Sequence, residues 1–553
     1  MGLGVLEDNK LTHVPGTVIL DDGVLPDVLE ATGGLKHAKG TKGEHIVLNP
    51  QPTNDPNDPL NWPLWKRDGI FLIHAYGFVC TAAVPSALLA AATVVLAETF
   101  DTSITKITQL TGFLLLAVGS FGLFVSVLSR LYGKRPQFVF ASFMCLLGTI
   151  IGSVAQDYNT LLAGRMIQGL GACAYESLLV AIVGDLYFVH ERGLRIAFFN
   201  FCFASLNAIG TLIAGPITTK YGWRYMFYIY IPFIALQFIL VVFCATETTF
   251  IRSQAYETDM IADVNYDGLQ KQEQHEGKAT SDAQLEEATN YAEPVPVPAK
   301  KTYWQFIAFY HGRYSHDNPL KLFLRPFAIC LNPAIIWINL IGSLPIASVA
   351  CSNFTTAQMY AVPPYNLNPT EIAYMFIGPL VGPLIVTGIF FFFSDPLALY
   401  LARRNKGVFE PEFRLPMALI IGGVLMTIGI FGWGNLYEAG KEPPVVGAII
   451  LGFYAAGMSA LNIASGTYTV DAYRDLSVEL VIIVMIVKNF LFYGVSYFFN
   501  DAVAARGPAF VFNIVGAIVL FGVVILGIPV YMYGKRMRGW WFRAQLLKKM
   551  HLE

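Results

Sequence analysis

Apolar runs of roughly twenty residues recur twelve times along the chain, at 69–93, 109–131, 136–155, 159–184, 195–218, 223–245, 328–352, 371–394, 415–437, 444–471, 478–500 and 509–533. Each is long enough, as a helix, to cross about 30 Å of hydrocarbon. The polar segments between them are short except for one of about 80 residues after the sixth run, whose middle is acidic and poor in large apolar side chains. Such a composition buries too little surface to offset the entropy of ordering, so a largely disordered connector is expected there. The pattern divides the chain into a cytoplasmic N-terminal segment (1–66), a first six-helix bundle (67–248), a cytoplasmic central loop (249–327), a second six-helix bundle (328–534) and a cytoplasmic tail (535–553).

Composition points the same way. Of the 553 residues 55% are hydrophobic and 14% charged, and mean hydropathy is +0.52, far from the values of a water-soluble domain. The net charge of −2 says little, but the placement of the charges says more. With the N-terminus inside, Arg130, Lys134, Arg135, Arg192, Arg195, Arg403, Arg404, Lys406, Arg414 and Arg474 fall in cytoplasmic loops, and further basic residues fill the tail. The opposite loops hold only Lys106, Lys220, Arg224, Lys441 and Arg506, an asymmetry that places both termini in the cytoplasm. The seven cysteines lie in or beside apolar runs without paired spacing, which suggests neither a disulfide framework nor a zinc site. Residues 1–66 do not read as a cleavable signal, so the first run is expected to direct insertion.

Charges inside the runs are the candidate chemistry, because a charge at mid-bilayer costs about 2.5–3.5 kcal/mol on insertion scales and is kept only where it faces protein or water. The fourth run carries Arg165 and Glu176, eleven positions apart and therefore on nearly the same helical face, with Gln168, Gly169 and Ala172 between them. At 1.5 Å per residue from Asn159, Arg165 lies about 9 Å deep and Glu176 about 25 Å, too far apart to pair. Burial favours the protonated form of a carboxylate, so Glu176 is expected to exchange a proton or to hold a cationic group. Lys488, with Asn489 beside it, sits near the middle of the eleventh run, where it either counters Asp471 or Glu479, gates the cytoplasmic side, or meets an anionic substrate group. His74 in the first run is a titratable candidate. Tyr175, Trp337 and Tyr454 are aromatic candidates for stacking on a cation or ring.

The two halves show a weak internal repeat. Asp185-Leu186-Tyr187 ends the fourth run and Asp471-Ala472-Tyr473 the tenth; nine residues before each Asp stand Glu176 and Asn462. Parallel repeats of this kind belong to transporters that rock two halves about a central site. Gly378-Pro379 and Gly382-Pro383 in the eighth run, and Gly215-Pro216 in the fifth, are candidate hinges, since proline removes a backbone donor and bends a helix. Asn353-Phe354-Thr355 is a glycosylation sequon whose closeness to the membrane argues against its use.

These residues carry a resemblance. DPNDPLNWP (Asp55 to Pro63), Arg165-x-x-Gln168-Gly169-x-Gly171, Asp185 with Glu191-Arg192-Gly193, and Glu410-Pro411-Glu412-Phe413-Arg414-Leu415 resemble motifs of the major facilitator superfamily, in particular its fungal twelve-span branch of drug:proton antiporter-like and polyamine or organic-cation transporter-like proteins. The resemblance covers about His45 to Arg543. Two motifs depart from it: the loop between the second and third runs, Ser126 to Lys134, lacks the acidic member, and the antiporter motif of the fifth run survives only as Gly210 with Gly215-Pro216. The second departure weakens the case for export over uptake.

The resemblance implies an all-α membrane protein with the major facilitator fold, twelve transmembrane helices in two six-helix bundles, and a midplane cavity between helices one, four, seven and ten. It implies proton coupling through Arg165, Gln168 and Glu176. The expected cavity residues are His74, Tyr175, Glu176, Trp337, Asn339, Tyr454, Asn462, Lys488 and Asn489. The expected cytoplasmic gate comprises Arg130, Lys134, Arg135, Asp185, Arg192, Asp395, Arg403 and Asp471, with Asp395 near Arg403 and Arg404 as a substitute carboxylate. The expected partners are a small organic substrate, protons and membrane lipid, with no cofactor, metal, nucleic acid or obligatory protein partner, in a monomer at the plasma membrane. Neither an ATP-binding glycine-rich loop nor a catalytic constellation is present in the sequence, which argues against an enzyme. Three functions stay open: drug or metabolite export by proton antiport, proton-coupled uptake of a small organic cation such as a polyamine, and a non-transporting nutrient receptor.

Overall fold

The structure, a computed structural model, describes residues 4–8, 14, 17–19, 37–39, 45–47, 52–53, 55–188, 191, 195, 198, 202–250, 299–315, 317–405, 408–440, 442–473, 476–544 and 546–550. Among the described residues eleven helices are long and apolar enough to cross a membrane. They are span one (Leu64–Thr99), two (Ile104–Tyr132), three (Arg135–Val154), four (Tyr158–Leu186), six (Arg224–Phe243), seven (Pro333–Tyr360), eight (Pro369–Arg404), nine (Pro411–Ala439), ten (Pro444–Ala472), eleven (Ser477–Ser496) and twelve (Pro508–Ala544). The fifth run is described only in part. Its described part is a π turn, Cys202–Leu206, followed by a fifteen-residue helix, Asn207–Tyr221, too short by itself at 1.5 Å per residue to cross a bilayer; residues 195–201 are described only at 195 and 198.

Local sequence sets where the helices begin. Ser103, Asp157, Asn332 and Asn368 accept backbone N–H bonds at the starts of spans two, four, seven and eight, and proline occupies the first turn of spans seven, eight, ten and twelve, where no N–H is needed. Gly133 ends span two at φ +91°, and a Cβ there would lie 2.4 Å from a Glu247 carboxylate oxygen, so both the backbone angle and the space call for glycine.

Packing repeats between the halves. Span four lies against spans two and three, and span ten against eight and nine; span six packs on three as twelve packs on nine. Glycines permit the closest approaches: a Cβ on Gly171 would fall 2.6 Å from the Ala141 carbonyl of span three, and one on Gly382 would fall 2.2 Å from the Gly452 carbonyl of span ten. Two pairs of spans make the most extensive contacts between the halves. Span two runs along span eleven, with Gly112 at Ser496, Gly119 at Asn489 and Gly122 at Met485, and the span-five helix meets span eight where Gly215 touches Pro369 and Ala373.

The face that carries loops two–three and eight–nine, together with the described parts of both termini, is termed the basic face here. The expected disordered loop is partly ordered: residues 251–298 lie outside the described ones, but 299–329 form two short helices, Tyr303–Phe306 and Pro319–Ile329, the second termed the brace helix. Aromatic and aliphatic side chains, sparser in the acidic stretch before them, supply their contacts. Two small antiparallel pairs, Val18–Ile19 with Val408–Phe409 and His37–Lys39 with His45–Val47, supply the strands among the described residues.

Candidate functional site

Between the halves lies a cavity of about 1170 Å³, its open space included, lined by residues of spans one, two, four, five, seven, eight, ten and eleven. Most of its wall is apolar, with Phe78, Leu115, Ile346, Met458 and Phe492 among the larger side chains; Ser86, Thr108, Thr111, Asn207, Thr211 and Asn353 add neutral polar groups. Glu176 and Lys488 are the only charged side chains among the described residues that line it.

These two meet. Lys488 Nζ lies 2.8 Å from Glu176 Oε2, each side chain being 7% exposed, and the Asn489 amide donates to the same oxygen at 3.3 Å. Counted at 1.5 Å per residue, Glu176 stands about 15 Å from the basic-face end of span four and Lys488 about 17 Å from that of span eleven, so the helices present them at one level. Spans four and eleven belong to different halves, and the pair therefore crosses the seam. A buried ion pair of this kind is weak evidence for stability, because desolvation offsets most of the attraction. Its value lies in what each charge excludes: either partner can change state only if the other finds a new one.

Arg165 has a different setting. It is fully buried and donates to Gln168 Oε1 (2.9 Å), the Pro85 carbonyl (2.7 Å) and Thr111 Oγ1 (3.5 Å), while Gln168 donates to Thr149 Oγ1 at 2.8 Å. The reason lies in span one, which is irregular from the π turn Val79–Ala83 through Pro85 to the 3-10 turn Ala90–Ala92. Proline and non-α turns free backbone carbonyls that hydrocarbon cannot satisfy. Neighbouring spans satisfy them: Arg165 holds Pro85, Thr211 of the span-five helix holds Ala87 (3.0 Å), and Tyr230 of span six holds Cys80.

The structure separates the expected cavity residues. Glu176 and Lys488 line the cavity and Asn489 braces them from behind. His74 and Tyr175 do not line it: His74 packs on Phe138 with ring centroids 4.3 Å apart, and the Tyr175 hydroxyl bonds Ser142 and Gln237, all within the first bundle. Trp337 donates to the Val523 carbonyl (3.2 Å), Asn339 to Ile335 (2.9 Å), and Tyr454 packs against Gly429, inside the second bundle. Asn462, the repeat partner of Glu176, is half-buried and also outside the lining. Aromatic character could not tell cavity from core, since helix–helix packing uses the same residues. The neutral lining groups were missed; polar side chains isolated in apolar runs, such as Asn207, were their only signal. Asn353 points into the cavity rather than presenting a sequon at the surface.

Gate residues form two equivalent pairs. Lys134, just before span three, pairs with Asp185 near the end of span four; Arg414, in the first turn of span nine, pairs with Asp471 near the end of span ten. Arg135 turns instead to the span-six end, donating to the carbonyls of Val242 (2.7 Å) and Ala245 (2.8 Å), and Glu247 takes up the backbone N–H groups of Lys134 and Arg135 at 3.1 Å each. In the second half the polarity is reversed: Arg538 of span twelve binds Glu410 (2.9 Å) and Glu412 (2.8 Å), a buried cluster that the sequence reading had not placed. Arg130 reaches across the seam to Glu479 (2.5 Å). Lys488 thus has its partner in Glu176, while Asp471 and Glu479 are held by Arg414 and Arg130. Arg403 is exposed, Arg404 lies over the Tyr400 ring, and Arg192 and the Asp395 side chain lie outside the described residues. The proposed hinge in span eight is continuous helix, Ile377–Arg404, through Pro379 and Pro383. Its Gly378 and Gly382 are contact points with span ten.

Two repeated helical bundles around a cavity crossed by one ion pair define the architecture of a membrane carrier. Residues 75–481 match the model of the Major Facilitator Superfamily, and the chain belongs to that superfamily of transporters. It is 24% identical to an uncharacterized MFS-type transporter of Schizosaccharomyces pombe, over 96% of this chain and 94% of that one, and 26% identical to Protein HOL1 of Saccharomyces cerevisiae, over 90% of each. The MFS antiporter QDR3 of Candida albicans is 20% identical over 80% of this chain and 74% of its own. Among solved structures, a D-xylose-proton symporter shares the fold, with a TM-score of 0.53 at 15% identity, covering 83% of this chain and 96% of that one.

Proposed function

We propose that the protein is a proton-coupled carrier that exports small, largely apolar organic molecules from the cytoplasm, with the basic face cytoplasmic, at the plasma membrane. The carrying observation is the Glu176–Lys488 pair as the only charges among the described residues that line the cavity. Protonation of Glu176 abolishes its attraction for Lys488 and changes the field that a bound substrate meets; loss of the proton restores it. Proton and substrate thereby compete through one carboxylate at the seam, which is the requirement for exchange. The apolar wall suits weakly polar cargo. The named antiporter among the relatives supports antiport.

A second reading has its own observation. Glu176 already accepts a primary ammonium, that of Lys488, so uptake of a small organic cation such as a polyamine would use the same contact. Proteoliposomes with an imposed pH gradient and an internal pH dye test both. Compounds of each class are added, and proton movement that depends on the compound and disappears in Glu176→Gln is expected. Proton movement that persists unchanged in Glu176→Gln sinks the mechanism. Direction follows from a deletion strain: sensitivity to toxic compounds indicates export, and lost growth on a single nitrogen source indicates uptake.

A further inference from the structure

Two soluble stretches dock on the basic face, and each docks on the bundle that it does not enter. Residues 4–8 and 17–19 precede span one yet lie on the second bundle: Leu6 N–H donates to Met532 O at 2.9 Å, Thr17 Oγ1 to Glu410 at 2.9 Å, and Val18–Ile19 pair with Val408–Phe409. Residues 299–314 precede span seven yet lie on the first: Lys301 N–H donates to the Asn57 side chain at 2.8 Å, Phe306 meets the Trp62 ring edge-on at 5.6 Å, and Tyr314 N–H donates to Leu131 O at 2.8 Å. The docking places correspond. One strap covers loop eight–nine and the end of span twelve; the other covers loop two–three, with the Tyr303 hydroxyl bonded to Phe243 O at the end of span six.

Their slack differs. Residues 20–51 separate the first strap from the chain that leads into span one, and with His37–Lys39 paired to His45–Val47 they reach up to about 80 Å, so that strap can follow a movement of the bundles. The second has little freedom. Only residues 315–318 separate Tyr314 from the brace helix, a reach of at most about 18 Å, and three residues further the chain enters span seven. The brace helix also spans the seam: its Arg325 lies 3.5 Å from Glu479 of span eleven, the carboxylate that Arg130 of span two holds at 2.5 Å. Chain 299–329 is therefore a short bridge, fixed to loop two–three at one end and to the second bundle at the other.

We propose that this bridge is a latch: the seam opens at the basic face only when residues 299–314 leave the first bundle. A rocking motion that separates spans two and eleven there must stretch the four-residue link or break one anchor, and hydrogen bonds and an aromatic contact at a water-facing surface break first.

The test uses the full chain in nanodiscs with a reporter, Ser126→Cys, one turn nearer the basic face than Gly122 at the seam and 9% exposed. Maleimide labelling at position 126 is read by peptide mass spectrometry. Undocking with Asn57→Ala and Phe306→Ala is expected to speed labelling about tenfold. In a second protein, Tyr132→Cys and Tyr310→Cys, whose native rings lie 6.2 Å apart, are joined by a short reducible linker to lock the strap. The lock is expected to slow labelling at 126 several-fold, with recovery on reduction. Equal labelling in the locked and reduced protein overturns the latch, and this comparison stands even if the undocked variant fails to fold.

Discussion

Glu176 of span four and Lys488 of span eleven close the seam between the two bundles at 2.8 Å, inside the cavity and at one depth. Each is the other's charge partner in a place where water is scarce. Removing one charge leaves the second buried without it, which costs about 3–5 kcal/mol, whereas replacing both with neutral side chains is often close to neutral. Lys488→Met and Glu176→Gln are therefore each expected to lower the thermal midpoint of the purified protein. The double variant should regain most of that stability while losing proton-dependent transport. Additive losses in the double variant would show that the two residues act independently.

Arg165 supports a different element. Its guanidinium spans Gln168, Thr111 and the carbonyl freed at Pro85, a geometry that needs a planar fork. Arg165→Lys keeps the charge but reaches fewer of these acceptors, and each buried acceptor left without a donor costs about 1–3 kcal/mol. The expected result is a protein that is destabilised by a few kcal/mol and whose span one exchanges backbone hydrogens faster around residues 85–92. Unchanged exchange there would remove Arg165 from the support of span one.

Apolar run length made the helices legible, because a bilayer demands the same stretch of residues from every span. Within the fifth run, the π turn Cys202–Leu206 leaves no trace in hydropathy. At the site, the charged residues stood out in an apolar background, but their partners did not: Glu176 and Lys488 are 312 positions apart in sequence, and the packing of span eleven on spans two and four brings them together. His74 and Tyr175 stand with Glu176 as titratable or aromatic candidates in apolar runs, yet they turn into the bundle core, a choice set by which face of the helix meets spans three and six.

The gate pairs offer a test of the repeat. Lys134–Asp185 and Arg414–Asp471 occupy equivalent places in the two halves, with side chains 13–22% exposed. Partly exposed pairs contribute about 1 kcal/mol or less and weaken with salt, so their loss should change the opening of the basic face more than stability. Asp185→Asn and Asp471→Asn are each expected to raise accessibility of the seam by a similar factor at low ionic strength and to converge on the wild type in high salt. Reversing the charges, Lys134→Asp with Asp185→Lys, should restore the wild-type value if the pair itself is responsible.

Span eight distinguishes a packing glycine from a free one on a single helix. A Cβ on Gly378 would fall 1.9 Å from the Ala448 carbonyl, and one on Gly382 would fall 2.2 Å from that of Gly452, both rigid backbone atoms; around Gly388 nothing lies within 4 Å. Gly388→Ala should therefore gain about 0.5–1 kcal/mol from the lost freedom of glycine in a helix. Gly378→Ala and Gly382→Ala must instead push spans eight and ten apart, and overpacking of this kind costs about 1–3 kcal/mol or more. If the two glycines served as hinges in the helix rather than as contact points, alanine at either would leave the thermal midpoint near that of Gly388→Ala and alter transport rate alone. A clear fall in midpoint at 378 and 382, with none at 388, assigns them to the span eight–ten interface.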